Sequence, residues 1–495
     1  MNSNTSPSSI AILQQKLHLL KMEYAFEKES FKQQSEVMGI MRKIKRGTAW
    51  FPIDIGRSYY NSLDQLVIEV YRTEDKDIEH VFEFGRPVVF FTQEVTGKLH
   101  YFNFTGTVSY VDDDRMVVVL PNVGSQSELQ AEPAPIGVQI YFDEFTYKLM
   151  FDAMNRVIEA KKGRLAELRV IFHGTLKPSA FSFDHIRLPW LNPSQESAVN
   201  NVLRAKDVAI VHGPPGTGKT TTLVEAVYET LRRENQVLVC AQSNMAVDWI
   251  SEKLVDRGVP VLRVGNPVRV NDKMLSYTYE RKFEAHPDYP RLWSIRKAIR
   301  ELYNRKNIYD KHEKINVLKD RATAIETQIN ASLFNEARVI ASTLTGSANH
   351  ILLGQKYGTL FIDEAAQALE PTCWIAIQKA DKIVLAGDHC QLPPTIKCPE
   401  AAHGGLTKTL MEDIVDNQPE TVSLLTVQYR MNEEIMRFSS EWFYHGQLKS
   451  APEVKNRSIL DLDTPIEWVN TSELDFKEEF IGETFGRINK HEGQL

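Results

Sequence analysis

The sequence predicts an α/β protein: a parallel sheet carrying a phosphate-binding loop, preceded by a small β-barrel on a helical stalk. Three observations point there. Short apolar runs such as Val208-Ala-Ile-Val211, Val237-Leu-Val-Cys240 and Thr359-Leu-Phe-Ile362 recur between helical patterns, as strands buried on both faces do. The first of them empties into Gly213-Pro-Pro-Gly-Thr-Gly-Lys-Thr220, a full G-x-x-x-x-G-K-[ST] loop between a strand and a helix. From residue 47 to about 140 the texture changes to runs rich in Val, Ile, Phe, Tyr and Thr, broken by turn clusters.

Composition sets the outer bounds. The 495 residues suggest about three or four domains, and 42% hydrophobic with 25% charged residues is a globular balance. No apolar run approaches the roughly 20 residues of a membrane span, and the start, Met1-Asn-Ser-Asn-Thr-Ser-Pro, lacks a signal-peptide core. A cytoplasmic protein is expected. Cys240, Cys373, Cys390 and Cys398 form no CxxC pair and no metal-ligand spacing, so reduced thiols are expected. A formal net charge of −7 argues against a generally basic coat while leaving a locally basic channel open.

In chain order, Leu13, Leu17, Leu20 and Tyr24 repeat at helical spacing, giving an amphipathic stalk helix over residues 1–46. Its basic end, Arg42, Lys43, Lys45 and Arg46, is expected to be a solvated terminus. The runs Leu66-Val-Ile-Glu-Val-Tyr71, Val88-Val-Phe-Phe-Thr92, His100-Tyr-Phe-Asn-Phe104 and Met116-Val-Val-Val-Leu120 build the barrel of residues 47–140. Tyr147, Phe151, Met154 and Ile158 return to helical spacing, a second stalk helix over 141–170. The sheet domain then runs over 171–420. Within it, residues 270–335 break the rhythm with two stripes, one through Leu292, Ile295 and Ile299 and one through Ile315, Leu318 and Ala322, a helical hairpin insertion.

The chemistry gathers at the ends of the apolar runs, where open α/β sheets hold their ligands. Gly213, Gly216 and Gly218 let the loop wrap a polyphosphate without Cβ clashes, with Thr217 inside it and Thr221 opening the next helix. Lys219 reaches phosphate oxygens and the Thr220 hydroxyl is placed for Mg²⁺. Gln195, alone an ordinary first-turn helix residue, stands just upstream of the loop, where its carboxamide can read adenine. Asp363-Glu364 ends an apolar run, costly for two carboxylates unless they meet a cation: Asp363 for the metal, Glu364 as general base toward water. Gln391, after Gly387-Asp388, can sense the γ-phosphate. Ser243 and Asn244 can donate to phosphate or sugar oxygens of a polymer, or simply cap a helix. Tyr429 and Arg430 offer a stacking ring and a guanidinium for phosphoryl charge.

Read in succession, Gln195, the cradle, Ser243-Asn244, Asp363-Glu-Ala-Ala-Gln367, Gly387-Asp-His-Cys-Gln-Leu-Pro-Pro394 and Val427-Gln-Tyr-Arg-Met431, continued by Phe443-Tyr-His-Gly-Gln-Leu448, resemble superfamily 1 helicases. The likeness is to the branch of the up-frameshift RNA helicase and the immunoglobulin-mu-binding protein helicase, and it covers nearly the whole chain. It implies that residues 171–420 are a first RecA-like domain and that 421–495 begin a second. It implies ATP and Mg²⁺ as cofactors, with Thr220 and Asp363 as metal ligands. It also implies movement along single-stranded RNA or DNA, 5′ to 3′, with duplex unwinding by a monomer. Gln391 and Arg430 would sense the γ-phosphate and Tyr429 would stack on the base. Strand contacts would come from Ser243, Asn244, Thr343 and Thr345, with the barrel closing over the polymer.

Two departures matter. Gln242 stands where this branch commonly has proline. The family's later motifs, including a terminal arginine for the γ-phosphate, do not occur before Leu495, so a truncated chain is expected that binds ATP and hydrolyses it poorly. An arginine finger contributes about 10³ to 10⁵ in turnover. A nucleotide-gated clamp that grips single strands with little unwinding is the alternative class. A small-molecule kinase would leave the barrel and Gln428-Tyr-Arg430 without a task.

Overall fold

Short runs of β-branched and aromatic residues form strands between residues 49 and 140 because their side chains alternate between an interior and a surface. The strands are β1 (Ala49–Tyr60), β2 (Leu66–Arg72), β3 (Pro87–Gln93), β4 (Leu99–Val111), β5 (Arg115–Val119) and β6 (Ile136–Ile140). They close into an antiparallel barrel in the order β1-β2-β5-β4-β3-β6, with β6 pairing back on β1. Closure removes every free edge. The interior is filled by Ile68 and Val70 of β2, Phe90 of β3, Met116 and Val118 of β5 and Val138 of β6.

The computed structural model describes residues 8–94, 96–174, 176–265, 272–305, 310–458, 464–474, 476–481 and 486–494. The chain forms two compact units: residues 1–214 with 218–425, and residues 215–217 with 426–495. Among the described residues no helix is long and apolar enough to cross a membrane.

The larger unit also holds a seven-stranded parallel sheet. Its strands are β7 (Val208–His212), β8 (Val237–Ala241), β9 (Val261–Arg263), β10 (Val339–Thr343), β11 (Tyr357–Asp363), β12 (Ala380–Gly387) and β13 (Val422–Leu424). They lie in the order β13-β7-β12-β11-β8-β10-β9. Strands β7 and β8 are buried at every position, which is why they read as unbroken apolar runs rather than alternating ones. Alternate residues still part company. Val208, Ile210, Leu238, Cys240, Ile383 and Leu385 enter one core, while Ala209, Val211, Val239, Val384 and Ala386 enter the other. Helices Pro193–Arg204, Lys219–Leu231 and Asn244–Asp256 cover the second face.

The first face is covered by the stalk. Leu13 and Leu20 of helix Ser9–Val37 and Met150, Met154 and Val157 of helix Glu144–Glu159 share one core with the sheet. The apolar repeat of the first stalk helix is thus buried against two neighbours. The basic run at the stalk's end divides: Lys43 is buried, its Nζ donating to Gln139 Oε1 of the barrel at 2.9 Å, and burial pulls its pKa down to about 8. A solvated terminus was the expectation for all four charges; the barrel wall covers this one.

The insertion forms helices Tyr289–Asn304 and Lys311–Glu336, with residues 270, 271 and 306–309 outside the described residues. Leu292, Ile325, Ile329 and Leu333 bury its inner stripe. Arg296 Nη1 donates to the Ser62 carbonyl at 2.8 Å and Arg300 pairs with Asp64, so the hairpin meets the β1–β2 turn of the barrel.

One buried ionic cluster anchors the stalk. The Lys16 ammonium bonds both Glu370 and Asp413, and Glu370 Oε1 also accepts from Trp374 Nε1 at 2.9 Å and lies 3.3 Å from His173 Nε2. Burial opposes the charge on Glu370, but Lys16 and His173 overcome it and hold its carboxyl well below the ordinary range. A depressed folded pKa stabilises fully above the unfolded value near pH 4.3 and is lost as pH falls through the folded one. Urea midpoints are therefore expected to start dropping as pH falls through about 4.3 and to keep dropping toward the folded value, and Glu370→Gln should flatten that slope. Lys16→Met, which removes the buried cation shared by two carboxylates, should cost about 3–5 kcal/mol in urea melts at pH 7.

Candidate functional site

Because both faces of the sheet are covered, reactive side chains can leave it only where strands end. In-register parallel pairing brings those ends together: Gly387 lies beside His212, and Asp363 and Thr343 flank Ala241. The loops carrying Gly213, Ser243, Thr343, Asp363 and Gln391 thus open on one edge of one sheet.

At β7 the chain turns into the glycine loop. Gly213 N donates to the Gly387 carbonyl at 3.0 Å, pinning the loop's start to β12. Gly218 has φ +78°, a left-handed conformation costly for other residues, and a Cβ there would stand 2.5 Å from Gln195 Nε2. Thr222 Oγ1 bonds the Gly218 carbonyl at 3.0 Å, a local clasp that sequence reading overlooked. Helix Lys219–Leu231 follows at once, its first N–H groups unpaired within the helix and its positive end at the loop. Thr220 is half-buried in that first turn and Thr221 is exposed. Gln195 closes a capping box: its N–H bonds Asn192 Oδ1 and its Oε1 accepts from Asn192 N at 3.1 Å. One end of the carboxamide is thereby committed, and the other lies against Gly218.

Across the loop, β11 delivers the two carboxylates. Glu364 takes the left-handed conformation (φ +52°) and donates its N–H to Asp363 Oδ1 at 2.9 Å. This turn aims both side chains at one ammonium: Lys219 Nζ is 2.6 Å from Glu364 Oε1 and 3.8 Å from Asp363 Oδ1. Asp363 is buried, and burial pushes its carboxyl above the ordinary range. A buried carboxylate beside one shared cation is a donor set that a divalent ion would satisfy.

The loop after β12 is organised by Asp388. Its Oδ1 accepts from His212 Nε2 at 2.9 Å and from Cys390 N at 3.1 Å, and its Oδ2 accepts from Gln391 Nε2 at 2.8 Å. Among the described residues, His212, Asp388, His389 and Cys390 place one potential ligand atom each within 4.8 Å of one another. These hydrogen bonds tie His212 and Cys390 to Asp388. Burial and the neighbouring His212 hold His389 below its ordinary value, and burial with Asp388 pushes the Cys390 thiol up to about 11. A neutral ring and a protonated thiol suit a brace for Gln391.

Farther along the edge, Ser243 Oγ accepts from Ala246 N at 3.2 Å and so caps helix Asn244–Asp256. The capping alternative for Ser-Asn holds for Ser243. Asn244 Oδ1 accepts from Arg263 Nη2 at 2.9 Å. Thr343 Oγ1 accepts from Gly346 N at 2.9 Å and lies 3.4 Å from Thr345 Oγ1.

In the smaller unit, Gln428 is wholly buried and uses both ends of its carboxamide. Its Oε1 accepts from Arg430 N and Met431 N at 2.8 and 2.7 Å, while its Nε2 donates to the Met431 carbonyl and to Ser450 Oγ. This clasp sets the bend that presents Tyr429 and Arg430. Tyr429 N donates to the Gly216 carbonyl at 2.8 Å within the same unit, and Gly216 (φ +76°) leaves no room for a Cβ beside Arg430.

Comparison with known proteins agrees with this layout. Family models described as AAA domains match residues 190–316 with 300–399 and residues 406–495. DNA-binding protein SMUBP-2 of Mesocricetus auratus is 36% identical over 339 residues, covering 65% of this chain and 34% of that protein. An uncharacterized ATP-dependent helicase of Methanocaldococcus jannaschii is 30% identical over 407 residues, 70% of this chain and 60% of its own length. A regulator of nonsense transcripts 1 homolog of Drosophila melanogaster is 35% identical over 303 residues, 60% and 24% respectively. The chain thus spans between about a quarter and three fifths of these relatives. With its motifs in order along the sequence, the chain belongs to the superfamily 1 helicases, in the branch of the up-frameshift and immunoglobulin-mu-binding helicases.

Proposed function

We propose that the chain is an ATP-dependent helicase and translocase on single-stranded RNA or DNA, moving 5′ to 3′. One observation carries the reading: groups suited to a nucleotide triphosphate and groups suited to a polymer strand open on the same edge, from neighbouring strands. Gly213, Gly218 and the first N–H groups of helix Lys219–Leu231 cradle the phosphates. Thr220 and Asp363 would hold Mg²⁺, which would supply positive charge to offset that of the phosphates. Lys219, now paired with Glu364, exchanges that partner for phosphate oxygen. Glu364, released, accepts the proton of the attacking water. Asp388 takes the nitrogen end of Gln391, so its oxygen is the end that orients that water. Arg430 supports the charge on the transferred phosphoryl group, and Tyr429 stacks on the base.

Ser243, Asn244, Thr343 and Thr345 line the strand path beside this site, with the barrel as its cover. Strand tracking on backbone groups serves RNA and DNA alike. ATPase with and without single-stranded RNA or DNA, and displacement from duplexes with 5′ or 3′ overhangs, tests the reading. Slow turnover that a single strand stimulates, with displacement from the 5′ overhang, is expected. Tight, ATP-dependent strand binding without displacement would identify a clamp instead.

Two variant pairs check the cradle. Lys219→Ala should weaken fluorescent ATP-analogue binding by at least about tenfold, a charge-assisted contact being roughly 1.5–3 kcal/mol, whereas Glu364→Gln should keep binding and lose turnover. ATP affinity unchanged in Lys219→Ala would contradict the assignment. Gly218→Ala and Gly258→Ala both force a positive φ, costing about 1–2 kcal/mol each. Only Gly218→Ala meets Gln195, while nothing lies within 4 Å of a Cβ at 258. Both should melt earlier, and only the first should lose nucleotide affinity.

A further inference from the structure

We infer that Arg263 is a positioning residue for the strand path: it takes the carbonyl oxygen of Asn244 and turns the amide N–H₂ outward, making that point a donor for phosphodiester oxygens. The inference rests on the strand-binding reading of this edge. It goes beyond it in assigning a polarity and the residue that sets it.

Arg263 lies in the edge strand β9 and is wholly buried, unusual for an arginine. Each nitrogen of its guanidinium donates a hydrogen bond, two of them to the helix that follows β8. Nε donates to Asp248 Oδ1 at 2.8 Å, Nη2 to Asn244 Oδ1 at 2.9 Å, and Nη1 to the Val264 carbonyl. Asn244 and Asp248 are four apart on that helix, so one planar fork spans both. A carboxamide's two ends are hard to tell apart by shape, but a guanidinium only donates, so the atom facing it must be oxygen. The nitrogen is left to point away. Among the described residues it makes no hydrogen bond, and it sits at the first turn of the helix, where the backbone also presents unpaired donors.

The residue type argues for function over bracing. An aspartate at 244 would satisfy Arg263 better, with a charge-assisted bond, and would suit the positive end of the helix. For bracing alone, asparagine is the weaker choice. What only asparagine adds is the outward donor.

The test uses anisotropy of a fluorescein-labelled single-stranded oligonucleotide on the full 495-residue chain, with melting temperature and ATP-analogue affinity read in parallel. Asn244→Ala removes the donor, and Asn244→Asp removes it while adding a like charge and keeping the bond to Arg263. The expected order of affinity is wild type, then Asn244→Ala, then Asn244→Asp, the last at least about tenfold below wild type. Asn244→Asp should melt no lower than wild type, and ATP-analogue affinity should not move. On an oligonucleotide with uncharged methylphosphonate linkages the gap between wild type and Asn244→Asp should shrink. A pure brace gives the reverse order, Asn244→Asp binding like wild type and Asn244→Ala weaker, and that result overturns the inference alone. Arg263→Lys, which cannot span both partners, should lower strand affinity; if it fails to fold, the order of the two Asn244 variants still decides. Wild type failing to bind any single strand overturns the functional reading and this inference with it.

Discussion

A sheet buried on both faces can offer chemistry only at the ends of its strands, and this constraint governs the larger unit. Helices cover one face and the stalk covers the other, so Val208–His212 and Val237–Ala241 have no side chain to give to solvent. Parallel pairing then gathers the carboxyl ends of β7, β12, β11, β8 and β10 on one edge. The glycine loop, both carboxylates, the Asp388 turn and the Asn244 helix are close because their strands are in register, not because the loops attract one another. The cluster of Lys16 with Glu370 and Asp413 belongs to the same logic: it ties the stalk to the covered face and leaves the open edge untouched.

Much of this was legible in the chain because the signals are local. A four-residue apolar run, a glycine loop and a capping Asn-Pro-Ser each have a short-range physical cause, and they appear as β7, the cradle and the start of helix Pro193–Arg204. The barrel was legible from its runs of β-branched and aromatic residues and its turns. What could not be read was anything set by a partner far away in sequence. Lys43 looks like one of four terminal charges and is buried because Gln139, ninety-six positions on, faces it. Arg263 reads as an ordinary residue of a short strand, yet it is among the largest wholly buried side chains. His212 looks like the end of an apolar run and is bonded to Asp388 across the sheet. Buried polar groups must find partners, but sequence does not say which.

That limit falls most heavily on the carboxamides. Gln195, Asn244, Gln391 and Gln428 look alike on paper, each able to donate and accept. The structure divides them by which end a neighbour has taken. Asn192 takes the oxygen of Gln195 and Arg263 takes the oxygen of Asn244. Asp388 takes the nitrogen of Gln391. Gln428 has both ends engaged and is left to shape the bend at Tyr429 and Arg430. An acceptor-rich phosphate backbone calls for a donor and an attacking water calls for an acceptor. In the proposed reading, Asn244 and Gln391 are therefore set with opposite polarity for a chemical reason. The selecting partner is charged in both cases, a guanidinium in one and a carboxylate in the other, so neither carboxamide can flip without leaving a buried charge facing its like-polar end. Such a flip would be costly in a low-dielectric interior. The recognition chemistry of this edge thus resides as much in Arg263 and Asp388 as in the residues that would touch a ligand.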